Sequence, residues 1–191
     1  SRFPFDPTIR IGDYFLILSR LIPYKRIDLA IEACNRLHLP LVVIGGGRDQ
    51  ARLKKLAGPT INFLGRLSDE QVIYYYMHCR AFLFPGEEDF GITPLEAQAC
   101  GRPVIAYGAG GALASIIDGV TGMFFREQTV DSLMEALASF DERSFDSNVI
   151  RNHALEFDTP RFKRRVIQFI EAKLSEAQKN LHHTLLNHPV R

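Results

Sequence analysis

The feature that most constrains the fold is a regular exchange of short apolar segments with segments of helical periodicity. The apolar segments include YFLIL, LVVI, INFLG, AFLF and VIAY, and each precedes a predicted helix, such as KRIDLAIEACNRLH after the first. Three further helices are predicted at about 129–140, 145–156 and 160–180. Strands that are apolar on both faces need cover on both sides, and helical connections join them in parallel. The sequence therefore predicts an α/β domain with a parallel sheet between helices.

Composition narrows the class of protein and its surroundings. The 191 residues fit one domain with a sizeable core, and a net charge of +1 argues against nucleic acid as a partner. Cys34, Cys79 and Cys100 lie in apolar segments and are predicted to be buried free thiols, which indicates a reducing, cytoplasmic compartment. No apolar run is long enough to span a membrane, and no signal peptide opens the chain. Because the chain begins with Ser1, we expect a fragment of a longer protein.

Parallel sheets bind ligands beyond the carboxyl ends of their strands, so the loops after each strand are the places to look. In the first such loop, Arg20 and Lys25 flank Pro23 near the start of a helix. An Arg fork and a Lys charge suit phosphate oxygens, although two solvated surface charges are an equal alternative. The later run Gly45–Gly47 does not match the dinucleotide pattern G-x-G-x-x-G and predicts a tight turn with close backbone approach.

The segment PGEEDFGITPLEAQACGRPV carries two glutamates, Glu88 and Glu96, eight positions apart. One helix through both is excluded because Gly91 and Pro94 interrupt it. Pro94 suits the first helical position, with Thr93 as the N-cap. Thr93 and Glu96 then have capping-box spacing, so a purely structural role for Glu96 is one interpretation.

The other interpretation is a binding site. A carboxylate accepts two hydrogen bonds at once, as the vicinal hydroxyls of a sugar or ribose require. The N–H groups from Phe90 through Thr93 and the positive end of the helix suit a phosphate, and Gly91 permits close backbone approach to a ligand. Glu88 and Glu96 would thus hold hydroxyls on either side of a phosphate seat, which is the layout of a nucleoside diphosphate sugar.

Metal binding is not predicted. The acidic run Glu87–Asp89 has no further ligands nearby, and no D-x-D occurs in the chain. Three histidines near the end, His182, His183 and His188, are interpreted as part of a solvated terminus rather than a metal site.

PGEEDFGITPLEAQACGRPVIAY resembles the E-x7-E signature of retaining glycosyltransferases of family 4, which have the GT-B fold. The likeness continues through SRLIPYKRIDLAIEA, FLGRLSDEQV and GGALASIIDGVTGMFF, and so covers about residues 12–140. The resemblance implies that residues 1–191 are the C-terminal donor-binding domain. Its Rossmann-like core would be 12–140, followed by closing helices in 141–191. The N-terminal acceptor domain would be absent from this chain.

The resemblance also implies roles for individual residues. Arg20 and Lys25 would hold the donor diphosphate, Glu88 would be the catalytic-side carboxylate on the transferred sugar's hydroxyls, and Glu96 would bind the ribose diol. Further contacts to sugar, phosphates and base would come mainly from the backbone of Phe90, Gly91, Ile92, Thr93, Arg66 and Leu67. Ser19 departs from the family, which usually has glycine before the arginine.

The implied activity is retaining transfer from a nucleoside diphosphate sugar to a glycan or lipid-linked acceptor, without a cofactor or metal. The wording GEEDFGITPLEA is similar to bacterial polysaccharide mannosyltransferases that use GDP-mannose. The whole enzyme would be cytoplasmic and peripheral at the inner membrane face, and the isolated domain is expected to be inactive. The alternatives are a non-catalytic nucleotide-sugar binding module, and a nucleotide-sugar epimerase or phosphorylase of the same architecture.

Overall fold

The computed structural model describes residues 3–187, with side chains described for residues 3–178. The chain divides into two compact units, one ending at Leu155 and the other beginning at Glu156. The interpretation of the three tail histidines concerns side chains outside the described residues.

The described residues contain one sheet of six strands, all paired in parallel. The strands are β1 (Phe15–Leu18), β2 (Leu41–Ile44), β3 (Ile61–Gly65), β4 (Phe82–Phe84), β5 (Val104–Tyr107) and β6 (Gly122–Phe125). Their order is β3-β2-β1-β4-β5-β6, so the direction of strand addition reverses between β1 and β4. The loops that leave β1 and β4 therefore separate and open a crevice at the carboxyl edge of the sheet. The predicted Rossmann-like parallel sheet is confirmed.

The strands are connected by helices, as the periodicity predicts. In the first unit they are α1 (Ile27–Arg36), α2 (Gln50–Leu56), α3 (Asp69–His78), α4 (Ile92–Ala99), α5 (Ala112–Ser115), α6 (Val130–Ser139) and α7 (Ser147–Leu155). A capping box formed by Ser68 and Gln71 begins α3: the Gln71 N–H donates to the Ser68 hydroxyl at 3.4 Å, and the Ser68 N–H donates to the Gln71 side chain at 3.0 Å.

The core has two layers because neighbouring strand residues point to opposite faces. On one face, Phe15 and Ile17 pack with residues of α1 and α6. On the other, Leu16 packs with residues of α3 and α4. Cys34 lies in the first layer, whereas Cys79 and Cys100 lie in the second. All three cysteines are buried free thiols, as predicted.

The last helices divide between the two units. Helix α7 belongs to the first unit and packs against α4, so this unit continues past residue 140, the predicted end of the core. The second unit contains α8 (Thr159–Asn187), where Glu156 pairs with Arg161 and, at 3.2 Å, with Arg165. In the part of the chain that the structure describes, no helix is both long and apolar enough to cross a membrane.

Candidate functional site

A cavity of about 130 Å³ lies at the carboxyl ends of β1 and β4, where the strand order reverses. Arg20 and Lys25 line it from the loop after β1, Gly86 from the loop after β4, and Thr93 from the first turn of α4. A Cβ added to Gly86 would stand 2.9 Å from the Cα of Lys25, so the two loops meet backbone to backbone. The crevice thus collects residues that are far apart in sequence.

The basic loop has more structure than its sequence predicts. Pro23–Lys25 form a 3-10 turn, and α1 begins only at Ile27, whereas a helix from Lys25 was predicted. Arg26 lies between the 3-10 turn and α1 with a left-handed backbone, φ 50°. A right-handed helix cannot continue through this conformation, so α1 starts after Arg26. Lys25 therefore ends the short turn, half-buried beside the cavity, while Arg20 is exposed at the rim.

Lys25 and Glu88 form an ion pair across the crevice. Their side chains are only 17% and 20% exposed, so water screens the pair less than it screens a surface pair. The ammonium predicted to bind a diphosphate and the carboxylate predicted to bind a sugar thus contact each other. Neither the pairing nor its burial was part of the sequence prediction.

The predicted cap of α4 is wrong. The helix begins at Ile92 with Gly91 as its N-cap, φ 80°, and no side chain caps it. Thr93 and Pro94 lie inside the first turn, which tolerates proline because the first four N–H groups have no partner within the helix. Thr93 is therefore not the N-cap, and the capping box with Glu96 does not exist. The left-handed glycine starts the helix two residues earlier than predicted.

Two glycines, Gly91 and Gly111, allow the close packing of the acidic loop. A Cβ on Gly91 would stand 2.9 Å from the Phe84 ring, so the space beside this glycine is occupied by protein. Gly111 donates its N–H to the carbonyl of Glu88 at 2.6 Å, and a Cβ there would stand 2.3 Å from the Cα of Phe90. The glycine-rich loop after β5 consequently supports the loop that carries Glu88 and Phe90.

Glu96 has a specific partner on another helix. The phenol of Tyr76 in α3 donates to Oε2 of Glu96 at 3.0 Å. Tyr76 is fully buried, and burial, followed by the charge of Glu96, raises the pKa of its phenol well above the ordinary value. The phenol is therefore neutral and able to donate at physiological pH.

Gln128 connects three loops of the site. Its amide donates to the carbonyl of Pro85 at 3.0 Å, and its oxygen accepts from Arg26 at 3.2 Å. No signal in the sequence distinguishes Gln128 from other surface glutamines.

The turn after β2 also has the predicted close backbone approach, since a Cβ on Gly47 would stand 2.3 Å from the carbonyl oxygen of Leu21.

The remaining predicted residues lie further along the same edge. Ile92 is exposed at the first position of α4, and Phe90 is exposed just before it. Arg66 and Leu67 follow β3, which is two strands away from β1, and they are not among the residues described as lining the cavity. Arg66 is exposed, and a Cβ added to Gly46 would stand 3.9 Å from its Nε. The Arg66 side chain therefore faces the turn after β2.

Together, the sheet order, the basic loop and the helix start at the crevice define a Rossmann-like domain with a candidate ligand site at its switch point. Residues 10–155 match the family described as glycosyl transferases group 1. This match covers more than half of the chain, and the protein belongs to that family.

The chain is similar in sequence to proteins that are named as glycosyltransferases. The O-antigen chain mannosyltransferase C of Escherichia coli is 29% identical over 185 residues, which are 92% of this chain and 48% of that protein. The human alpha-1,3/1,6-mannosyltransferase is 34% identical over 164 residues, which are 71% of this chain and 38% of that protein. The chain thus spans about half, or less, of the length of these relatives.

Solved structures share the fold. The Anabaena protein HepE in complex with UDP superposes with a TM-score of 0.73 at 20% identity, over 84% of this chain and 49% of HepE. The protein TarM superposes with a TM-score of 0.76 at 17% identity, over 88% of this chain and 37% of TarM. At these identities the likeness shows the fold alone, and it extends over half or less of each of those chains.

Proposed function

We propose that this chain is the donor-binding domain of a retaining glycosyltransferase of family 4 and binds a nucleoside diphosphate sugar in the crevice between β1 and β4. The observation that carries the proposal is the Lys25–Glu88 pair beside the start of α4. A cation, a carboxylate and the positive end of a helix meet at one point, and that combination suits a phosphate linked to a polyhydroxyl group.

The diphosphate is assigned to the basic side of the crevice. Arg20 and Lys25 both line the cavity, and Thr93 lies in the first turn of α4 opposite them. A phosphate there would meet two cations and the helix N–H groups, which are favourable partners for an anion.

The two carboxylates are assigned to the two ends of the donor. Glu88 is on the loop at the crevice and would accept from hydroxyls of the transferred sugar as the catalytic-side residue. Glu96 is half-buried one turn into α4 and would bind the ribose diol. Arg66 and Leu67, further along the edge, would lie against the base through their backbone, together with amides of Phe90 and its neighbours.

Mannose is the sugar we propose, with GDP as the nucleotide. The support comes from similarity: relatives named as mannosyltransferases match most of the chain, and one from Corynebacterium glutamicum that matches 62% of it is named as GDP-mannose-dependent. The HepE structures in complex with UDP and UDP-glucose make UDP-glucose the competing donor.

The complete enzyme would need a second half. Relatives are about twice as long as this chain or longer, so we propose that an acceptor-binding domain belongs to the same enzyme and brings a glycan or lipid-linked acceptor. We also propose that the enzyme works in the cytoplasm, at the inner membrane face. Cys34, Cys79 and Cys100 are buried free thiols, which suits a reducing compartment.

Isothermal titration with GDP-mannose, UDP-glucose, GDP and UDP tests the proposal. We expect GDP-mannose to bind with the highest affinity and to raise the melting temperature, since a ligand at a hundred times its Kd stabilises by about 2.7 kcal/mol. Arg20→Ala should weaken GDP binding roughly tenfold and leave guanosine binding unchanged. If none of the four ligands binds, the proposed function is wrong.

An activity assay tests the proposal that this chain is only the donor-binding part of the enzyme. Incubation of the chain with GDP-mannose and a lipid-linked acceptor should leave the donor intact, because the residues of the donor site alone do not position an acceptor or exclude water. Turnover by this chain alone would show that the acceptor site lies within these residues.

A further inference from the structure

We infer that Tyr76 is a positioning residue for the donor: its phenol holds the Glu96 carboxylate in the orientation that binds a ribose diol. This inference rests on the proposed function, because it needs Glu96 to be the ribose-binding carboxylate. It assigns a binding role to a residue of α3 that lies outside the crevice.

The first support is the geometry of the contact. Tyr76 Oη donates to one particular oxygen of Glu96, Oε2, at 3.0 Å. A glutamate side chain has three rotatable torsions, and anchoring one oxygen restricts them before any ligand arrives. A diol that donates two hydrogen bonds needs the carboxylate plane to be fixed, so the anchor lowers the entropic cost of binding.

The second support is the rigidity of the anchor. The Tyr76 side chain has no exposed surface, and its ring packs against Phe82 with centroids 5.7 Å apart and edge-on against Phe3 at 6.2 Å. A ring fixed by core packing places its hydroxyl in one position. The core layer thereby determines where the Glu96 carboxylate lies.

The third support is the contrast between Tyr76 and its neighbours in the run YYY. Tyr74 is 55% exposed and Tyr75 is half-buried, whereas Tyr76 alone of the three is fully buried and donates to Glu96. A phenylalanine at this position would fill the same core space. The hydroxyl is therefore the part that needs an explanation other than packing.

Tyr76→Phe removes this hydroxyl and keeps the ring. Titrations should compare GDP and UDP with their 2′,3′-dideoxy counterparts, which lack the diol. In the native protein we expect the ribose form to bind more tightly than the dideoxy form. In Tyr76→Phe this preference should fall roughly three- to tenfold, with dideoxy binding unchanged within about twofold.

Tyr14→Phe is the matched control. The Tyr14 phenol also donates a 3.0 Å hydrogen bond, to the carbonyl of Tyr75, but it lies next to the start of β1, at the opposite end of the strand from the crevice. This variant should keep the full ribose preference. A loss of preference in Tyr14→Phe equal to that in Tyr76→Phe would mean that any lost phenol has the effect, and would overturn the inference.

A double-variant cycle separates this inference from the proposed function. Glu96→Gln should reduce the ribose preference, and adding Tyr76→Phe to it should reduce the preference no further, because the two residues act through one contact. A native ribose preference in Tyr76→Phe overturns the inference and leaves the donor site standing. Failure of every nucleotide and sugar nucleotide to bind the native protein overturns both.

A second measurement does not depend on a folded Tyr76→Phe protein. With 3-fluorotyrosine placed at position 76 alone, the fluorine resonance should move when GDP or UDP binds and stay in place with the dideoxy forms. An identical response to both forms would show that Tyr76 does not sense the ribose hydroxyls, and would overturn the inference.

Discussion

Glu88 and Glu96 are eight positions apart in the sequence, yet the structure holds them in opposite ways. Glu88 lies on the loop after β4 and pairs with a cation, Lys25, from the loop after β1. Glu96 lies within α4 and accepts a hydrogen bond at 3.0 Å from the neutral phenol of Tyr76. One carboxylate is held by an opposite charge and the other by a buried dipole.

This difference predicts which of the two contacts a bound ligand would replace. An incoming diphosphate has the same sign of charge as Glu88 and competes with it for Lys25. The Tyr76 phenol is buried away from the crevice, so a phosphate does not compete for it. We therefore expect donor binding to rearrange the contacts of Glu88 and to leave Glu96 in place.

The largest effect is expected from Lys25→Ala. This change removes the cation that faces the diphosphate and leaves the Glu88 carboxylate without its counter-ion near the same phosphate. Loss of a charged hydrogen bond costs about 2 kcal/mol, so GDP should bind roughly 30-fold more weakly by titration calorimetry. Lys55→Ala, at an exposed position on α2, is the control and should bind GDP normally. Normal binding by Lys25→Ala would contradict the assignment of the diphosphate.

Glu88→Gln should change the affinities for two ligands in opposite directions. Without the carboxylate charge, Lys25 is free to pair with phosphate, so free GDP should bind about threefold more tightly. GDP-mannose should bind roughly tenfold more weakly relative to GDP than in the native protein, because a charged acceptor for sugar hydroxyls is lost. Equal weakening of both ligands would show that Glu88 does not contact the sugar.

Glu96 variants measure how much its contact with Tyr76 contributes to stability. Glu96→Gln keeps an oxygen acceptor for the phenol, and its melting temperature should stay near the native value. Glu96→Ala leaves the phenol buried without that acceptor, which costs about 2 kcal/mol, or roughly 4–8 °C in melting temperature for a chain of this size.

The contribution of the phenol is checked with a second substitution. Adding Tyr76→Phe to Glu96→Ala should recover part of the lost stability, since no buried donor is then left without a partner. If the double variant melts below Glu96→Ala, the phenol contributes to stability through some other contact.

Gln128→Ala is expected to have a smaller effect. It removes the hydrogen bonds to the Pro85 carbonyl and to Arg26, and so loosens the two loops that bring Glu88 and Lys25 together. Affinity for GDP should fall about threefold, and the salt dependence of binding should be unchanged because no charge is removed. A larger loss than for Lys25→Ala would reverse the proposed ranking.

The smallest expected effect is that of metal removal. We propose that Arg20 and Lys25 neutralise the diphosphate without a cation, so GDP-mannose should bind equally well in EDTA and in magnesium. Binding that is lost in EDTA and restored by magnesium would show instead that a metal ion bridges the diphosphate to the acidic loop.

The order of structural elements could be predicted from the sequence because it depends on local pattern. Two-faced apolar strands such as Phe15–Leu18 must lie inside a covered sheet, and the helices between them require parallel pairing. The glycine run after β2 likewise predicted a close backbone approach, and the structure shows that it is made to the loop after β1. These features follow from periodicity and backbone sterics, which act within a few residues.

The partners of the site residues were decided by the tertiary structure. The start of α4 was predicted wrongly because Pro94 suggests a boundary, whereas the left-handed backbone of Gly91 depends on Phe84 packing beside it. The Lys25–Glu88 pair joins residues on two different loops, and the Tyr76–Glu96 bond joins two helices. Neither has a local signature, because each forms only when the sheet order brings separate segments together. The sequence by itself thus determined the layers and the edge of the sheet on which the crevice lies. Only the packing of those layers decided which charge meets which partner, since Coulombic and hydrogen-bond contacts depend on distance in space rather than along the chain.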